Sequence, residues 1–190
     1  MLTRIIVATL AVVSVGQALE PLSVGDKFRR HAKGTLGPVG ILSAAARAGI
    51  DQRSDFPEEW GQGADAYGKR FASKMGKSGI HSALAFGLDS ALHQDPRYYR
   101  SDGGGFWGRT GHALRGTILT HTDSGGETFS TWRIGSAYGA AFLANQWHPD
   151  RLNTLGRGLR QGSISLGFDV AKNMGAEFWP DIKRKMFGKK

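Results

Sequence analysis

Three of the six histidines are followed two residues later by an aspartate: His93 with Asp95, His121 with Asp123 and His148 with Asp150. Chance pairing at this His and Asp content gives well under one such pair. An imidazole beside a carboxylate can bind metal or transfer a proton near neutral pH. A structural explanation stands beside the chemical one. Each pair falls at the end of a predicted helix, where His meets the negative end of the dipole and Asp opens a turn. If consecutive helices alternate up and down, His93 and His148 share a pole. His121 then lies a helix length away, roughly 21 Å for about 14 residues. The candidate catalytic set is therefore His93, Asp95, His148 and Asp150, with Arg97 and Arg100 beside them to hold an anion such as a phosphate ester. One metal cannot reach all three pairs, and no metal or cofactor is expected.

A second kind of chemistry is carried by aromatic residues interleaved with cations. Residues 95–100 read Asp-Pro-Arg-Tyr-Tyr-Arg, and Trp179 is followed by Lys183, Arg184 and Lys185. Rings at head-group depth and cations on phosphate suit a lipid interface. Arg97, Arg100, Trp179, Lys183, Arg184 and Lys185 are thus the candidate anion- or membrane-binding residues. The alternative is that Trp179 and Ile182 pin the last helical turn to the core while the cations stay solvated.

The elements that must position these groups read as helices. Trp60, Ala64, Tyr67, Phe71 and Met75 repeat at helical spacing over Ser54–Met75, a shorter helix precedes at Pro38–Ala48, and another follows at Ser78–His93. Phe106 through His121 trace a fourth face, Thr131–Trp147 a fifth, and Thr154–Phe178 a sixth that Trp179-Pro180 should stop. A strand reading of Trp132, Ile134, Tyr138 and Phe142 would need many such segments to make an outer-membrane barrel, and only this one alternates. The expectation is an all-α, single-domain bundle of five or six Gly/Ala-rich helices.

Rows of small residues at a spacing of four are the most specific pattern. Gly79, Ala83, Gly87 and Ala91 form one row, Ser163, Gly167, Ala171 and Gly175 a second, and Gly135 with Gly139 a third. Interior Gly costs about 1 kcal/mol of helix stability against Ala, so close helix packing, or assembly of copies, is the expected return.

Arg4, an uncharged run from Ile5 to Val15 and the small residues Gly16-Gln17-Ala18 read as a cleavable signal peptide over residues 1–18. Residues 19–190 are then one helical domain with a basic tail over about 181–190. Removing Arg4 leaves 24 basic against 16 acidic residues, a net of +8. That charge favours anionic membrane or envelope surfaces over nucleic acid in such a compartment. With no cysteine, disulfides, thiolate catalysis and Cys-based metal sites are excluded.

Five strings can be taken together: Trp60-Gly61-Gln62-Gly63, Tyr67-Gly68-Lys69-Arg70, His93 through Arg100, Thr122-Asp123-Ser124-Gly125 and Glu177 through Ile182. Over about residues 25–185 they resemble a family of small exported bacterial proteins of unknown function. The resemblance implies export to the periplasm or outer membrane and brings no activity or ligand. The functional expectation is a noncatalytic envelope protein that associates with a membrane surface or with copies of itself. The alternative is a hydrolase acting on an anionic envelope substrate through the His/Asp set.

Overall fold

A computed structural model describes residues 20–188, so the expected signal peptide lies outside the described residues. The described residues form an all-α bundle of six α-helices with one short hairpin. Helix α1 (Val24–Leu36) begins where the Ser23 side chain accepts the Asp26 N–H, and α2 (Pro38–Arg53) follows after Gly37 with proline at its first position. Next come α3 (Ala64–Ala91) and α4 (Phe106–Ile118). Strands β1 (Leu119–His121) and β2 (Glu127–Phe129) pair antiparallel, with Thr120 opposite Thr128. Helices α5 (Thr131–Asn145) and α6 (Leu155–Phe187) complete the fold.

The boundaries differ from the sequence expectation at several places: α1 is not among the expected helices, α2 runs past Gly49 to Arg53, and three later helices are redrawn. α3 starts at Ala64 rather than Ser54, because Gly61 and Gly63 take positive φ (68° and 98°) and break the earlier turn. It then runs unbroken past Gly76 to Ala91, held along its length by α1, α2 and α5. α4 stops at Ile118, and His121 lies in a strand. α6 continues through Pro180, so residues 181–187 are helix and not a separate tail. Arg109 clamps it there, engaging the Glu177 carbonyl and carboxylate on one side of the proline and Asp181 on the other.

α5 is the central element, packed against both α3 and α6. Its N-terminus meets the end of α3, where the Trp132 N–H donates to the Gln94 side chain at 3.1 Å. At its other end the Trp147 indole donates to Ser73 Oγ at 2.9 Å, so α5 runs antiparallel to α3. Alanine dominates the buried apolar residues, among them Ala85, Ala137, Ala140, Ala141 and Ala144, with Trp132 the one large ring among the described residues. Among the described residues no helix is long and apolar enough to cross a membrane.

The three small-residue rows have separate fates. Gly135 and Gly139 are the thin contact expected: a Cβ at either would come within 2.8 Å of Leu88 or Leu84 on α3. Gly158 and Gly162, which lie outside the expected rows, sit beneath the Phe142 and Tyr138 rings of α5, leaving no room for a Cβ. The other two rows do not pack inside the bundle. Ala83, Gly87, Ala91, Ser163, Gly167, Ala171 and Gly175 are all exposed, Gly79 is half-buried, and a Cβ at Gly79, Gly87, Gly167 or Gly175 would meet nothing. A spacing of four reports a shared helix face but not which way that face points.

Gly162→Ala should therefore cost about 1–3 kcal/mol by driving a methyl into Tyr138, whereas Gly87→Ala should gain about 0.5–1 kcal/mol from helix propensity. Urea denaturation of the two variants checks this. A loss of stability in Gly87→Ala would show that its face is covered.

Candidate functional site

The first two His-x-Asp pairs meet through their backbones. The Asp95 N–H donates to the His121 carbonyl and the Asp123 N–H to the His93 carbonyl, both at 2.8 Å. Buried Lys27 closes the junction, donating to the carbonyls of Asp89 (3.2 Å) and Gln94 (2.9 Å) and to the Asp123 carboxylate (2.8 Å). Asp95 accepts from the Arg97 guanidinium and backbone N–H and from the Tyr99 hydroxyl (2.8 Å). Burial pushes this carboxyl up, but those hydrogen bonds outweigh it and hold it below the ordinary carboxylate range. His93 takes positive φ at the end of α3, and its ring is 82% exposed.

His148 lies elsewhere. Its ring stacks on Trp60 with centroids 5.1 Å apart, and its Nδ1 donates to the Ala144 carbonyl at 2.7 Å. Burial lowers its pKa, so it is neutral at pH 7. Asp150 is exposed and opens a short 3-10 turn. His93 and His148 occupy opposite ends of α5, a helix of 15 residues and so about 22 Å long. The shared pole expected for His93, Asp95, His148 and Asp150 is thus not formed, while His93 and His121, expected apart, adjoin. The cause lies between α3 and α5: the segment after His93 leaves that end without helix, with Tyr98 and Ser101 reaching Glu177 of α6, and α4 brings the chain back, so that His121 and the start of α5 lie beside His93. Among the described residues no group of three or more His, Asp or Glu side chains could hold a metal ion.

A cleft of about 280 Å³ opens beside this junction, lined by Arg97, Tyr98, Tyr99, His112, Arg115 and His121. Its two guanidinium groups are already matched, Arg97 to Asp95 at 2.5 Å and Arg115 to Glu127 at 2.6 Å. His112 donates from Nε2 to the Tyr99 carbonyl at 2.9 Å. Polar and apolar surface line the cleft about equally, its two guanidinium groups are neutralised, and none of its lining residues is a nucleophile activated by a neighbouring base.

The aromatic and cationic residues gather where α4 packs on α6. Fully buried Glu177 accepts from the Tyr98 hydroxyl (2.8 Å), the Ser101 N–H (3.2 Å) and Arg109 Nε (3.1 Å). Burial pushes its carboxyl up, and these donors more than reverse that. Arg109 also lies over the Phe178 ring at 4.5 Å, and Phe178 packs on Phe106 with centroids 5.3 Å apart. This anchoring leaves Trp107 81% exposed beside Phe106, with Trp179, Ile182, Met186 and Phe187 also exposed. Lys183, Arg184 and Lys185 are exposed on the same final turns, and Arg100 is exposed on the segment leading to α4. Arg97 does not join them, being held by Asp95. Trp107 was not singled out from the sequence, although Gly103-Gly104-Gly105 followed by Phe106-Trp107 is a signal that a ring pair is presented from a loop.

The chain matches no family model, no curated protein and no solved structure.

Replacing Glu177 by Gln should cost about 3 kcal/mol in urea denaturation at pH 7, since it leaves a buried donor cluster without its charge. Both Asp95 and Glu177 have depressed folded-state pKa values. Their contribution is complete above about pH 4–5 and is lost as pH falls through those values. The acid limb of the stability curve should therefore be shallower in Glu177→Gln than in the parent; an unchanged limb contradicts the assignment.

Proposed function

We propose that this chain is a noncatalytic protein of the bacterial cell envelope that docks on an anionic membrane surface through the start of α4 and the end of α6. The observation that carries the reading is the cluster of exposed Phe106, Trp107, Trp179, Met186 and Phe187 beside Lys183, Arg184 and Lys185. Exposed large rings are costly in water and favourable at head-group depth, and adjacent cations meet lipid phosphate. The net charge of +8 that remains after residues 1–18 are removed adds long-range attraction. No side-chain arrangement at the His-x-Asp pairs supports hydrolysis, since the groups that would act together lie at opposite ends of α5.

Self-association is a second reading, favoured by the outward rows on α3 and α6. Interior glycines on an exposed helix face lower helix stability with no contact inside the bundle to offset it. A second copy laid along Gly167, Ala171 and Gly175, next to exposed Ile164 and Phe168, would supply that contact.

Vesicles carrying anionic lipid should bind the protein in a salt-sensitive manner. Neutralising Lys183, Arg184 and Lys185 together should weaken binding roughly a hundredfold, at about 1 kcal/mol for each cation, and Trp107→Ala should weaken it further without loss of folding. Binding that is unaffected by both changes removes the membrane reading. For the second reading, sedimentation velocity of Gly87→Leu with Gly167→Leu should show a parent oligomer reduced to monomer; a parent that is monomeric at all concentrations rejects it.

A further inference from the structure

The start of α6 encloses a cation with nothing to bind. Arg157 is only 9% exposed, and its Nε and Nη1 are sealed from solvent with no hydrogen-bond partner among the described residues. Its guanidinium lies over the Phe56 ring at 5.1 Å, a contact that satisfies no N–H. A buried, unpaired donor on a charged group is among the costliest features a fold can keep.

Arg157 lines a cavity of about 70 Å³ between α2, α3, α5 and α6. The charged groups around it are Lys74, Lys77 and Arg157 against Asp51 alone, and Asp51 is taken by Lys74. Two positive charges are therefore unmatched. His148, also on the wall, is neutral by the argument above. Lys77 makes a single long hydrogen bond to Gln161 Oε1 at 3.3 Å. Burial, with Lys74, Arg47 and Arg157 nearby, brings its ammonium down to about 8. By the same measure of volume a water needs roughly 10–15 Å³, so the cavity has room for several waters or for one tetrahedral anion of phosphate size.

We propose that this cavity is a binding site for a phosphate dianion, either inorganic phosphate or the terminal phosphate of a monoester, held by Arg157 and Lys77 with Gln161 and Asn145 on its walls. The charge matches, two negative against two positive, and the ligand gives Arg157 Nε and Nη1 the acceptors they lack. The site lies about 39 Å along α6 from Lys183, so it is independent of the membrane surface described above.

Calorimetric titration and thermal melts of the full chain with inorganic phosphate, against chloride at matched ionic strength, test this. The parent should melt higher in phosphate than in chloride, and Arg157→Met should bind phosphate at least tenfold more weakly. In phosphate-free buffer Arg157→Met should melt at or above the parent, because it removes an unpaired buried charge while keeping the contact with Phe56. A guanidinium with only a structural role would give the opposite result. If Arg157→Met does not fold, Lys77→Met takes its place with the same expected loss. Equal melting of the parent in both salts, or affinity within twofold of the parent in every folded variant, overturns the proposal. Vesicles of phosphatidic acid in phosphatidylcholine identify the source. Binding competed by inorganic phosphate and lost in Arg157→Met assigns a lipid monoester, and vesicle binding unchanged by that substitution assigns free phosphate.

Discussion

The fold depends on charged side chains that are buried and spend their hydrogen bonds on loop backbone. Lys27 fastens α1 to the end of α3 and to the hairpin turn, using all three ammonium donors. Arg70, fully buried on α3, donates to the carbonyls of Phe56, Pro57 and Gly61 and to Gln52, and so holds the crossover from α2. Asp95 and Glu177 do the equivalent for the segment between α3 and α4. Each such group is tolerable inside the protein only because its partners are complete, and removing one partner leaves a charge without water or neighbour. These contacts specify loop geometry, which helix packing by itself leaves open.

The apolar interior is complementary to that network. Alanine and glycine form the α3–α5–α6 contacts, so helices approach closely but each buried side chain contributes little transfer energy. Leu, Ile, Phe and Trp stand on the outside in number, from Val39 and Leu42 on α2 to Ile164 and Phe168 on α6. A chain arranged this way gains more by covering its surface than one with large residues inside. That imbalance is the physical basis of the proposed surface docking.

Helix type and the all-α class were legible because the 3.6-residue repeat and the Pro and Gly boundaries are local signals. What depended on distant contacts was not. α1 reads as polar sequence, and its position rests on Lys27 and on Thr35, which pairs with Ser82 at 2.6 Å across 47 residues. Pro180 is a sound stop signal in isolation, overridden by Arg109 from another helix. Continuity across Gly76 depends on α5 packing alongside, and the placement of His121 beside His93 depends on the 95–105 segment reaching Glu177 of α6 before α4 returns. Of the candidate site, Trp179 and the basic turn were legible from composition. Trp107 was not, since only the Phe106–Phe178 contact brings it beside them.

The five strings meet in two groups, the first with the second and the third with the fourth and fifth. Arg70 of the second string binds Gly61 of the first, Asp123 of the fourth pairs with the backbone of His93 in the third, and Tyr98 of the third donates to Glu177 of the fifth. Their residue types are thus set by folding: a guanidinium with enough donors for several carbonyls, a carboxylate small enough for a tight junction, a hydroxyl of the right reach. A motif so explained leaves little of its chemistry for a substrate. The groups whose bonding capacity the fold leaves unused are the outward rings with Lys183 and Lys185 at the end of α6 and, at its beginning, the guanidinium of Arg157, and both proposals rest on them.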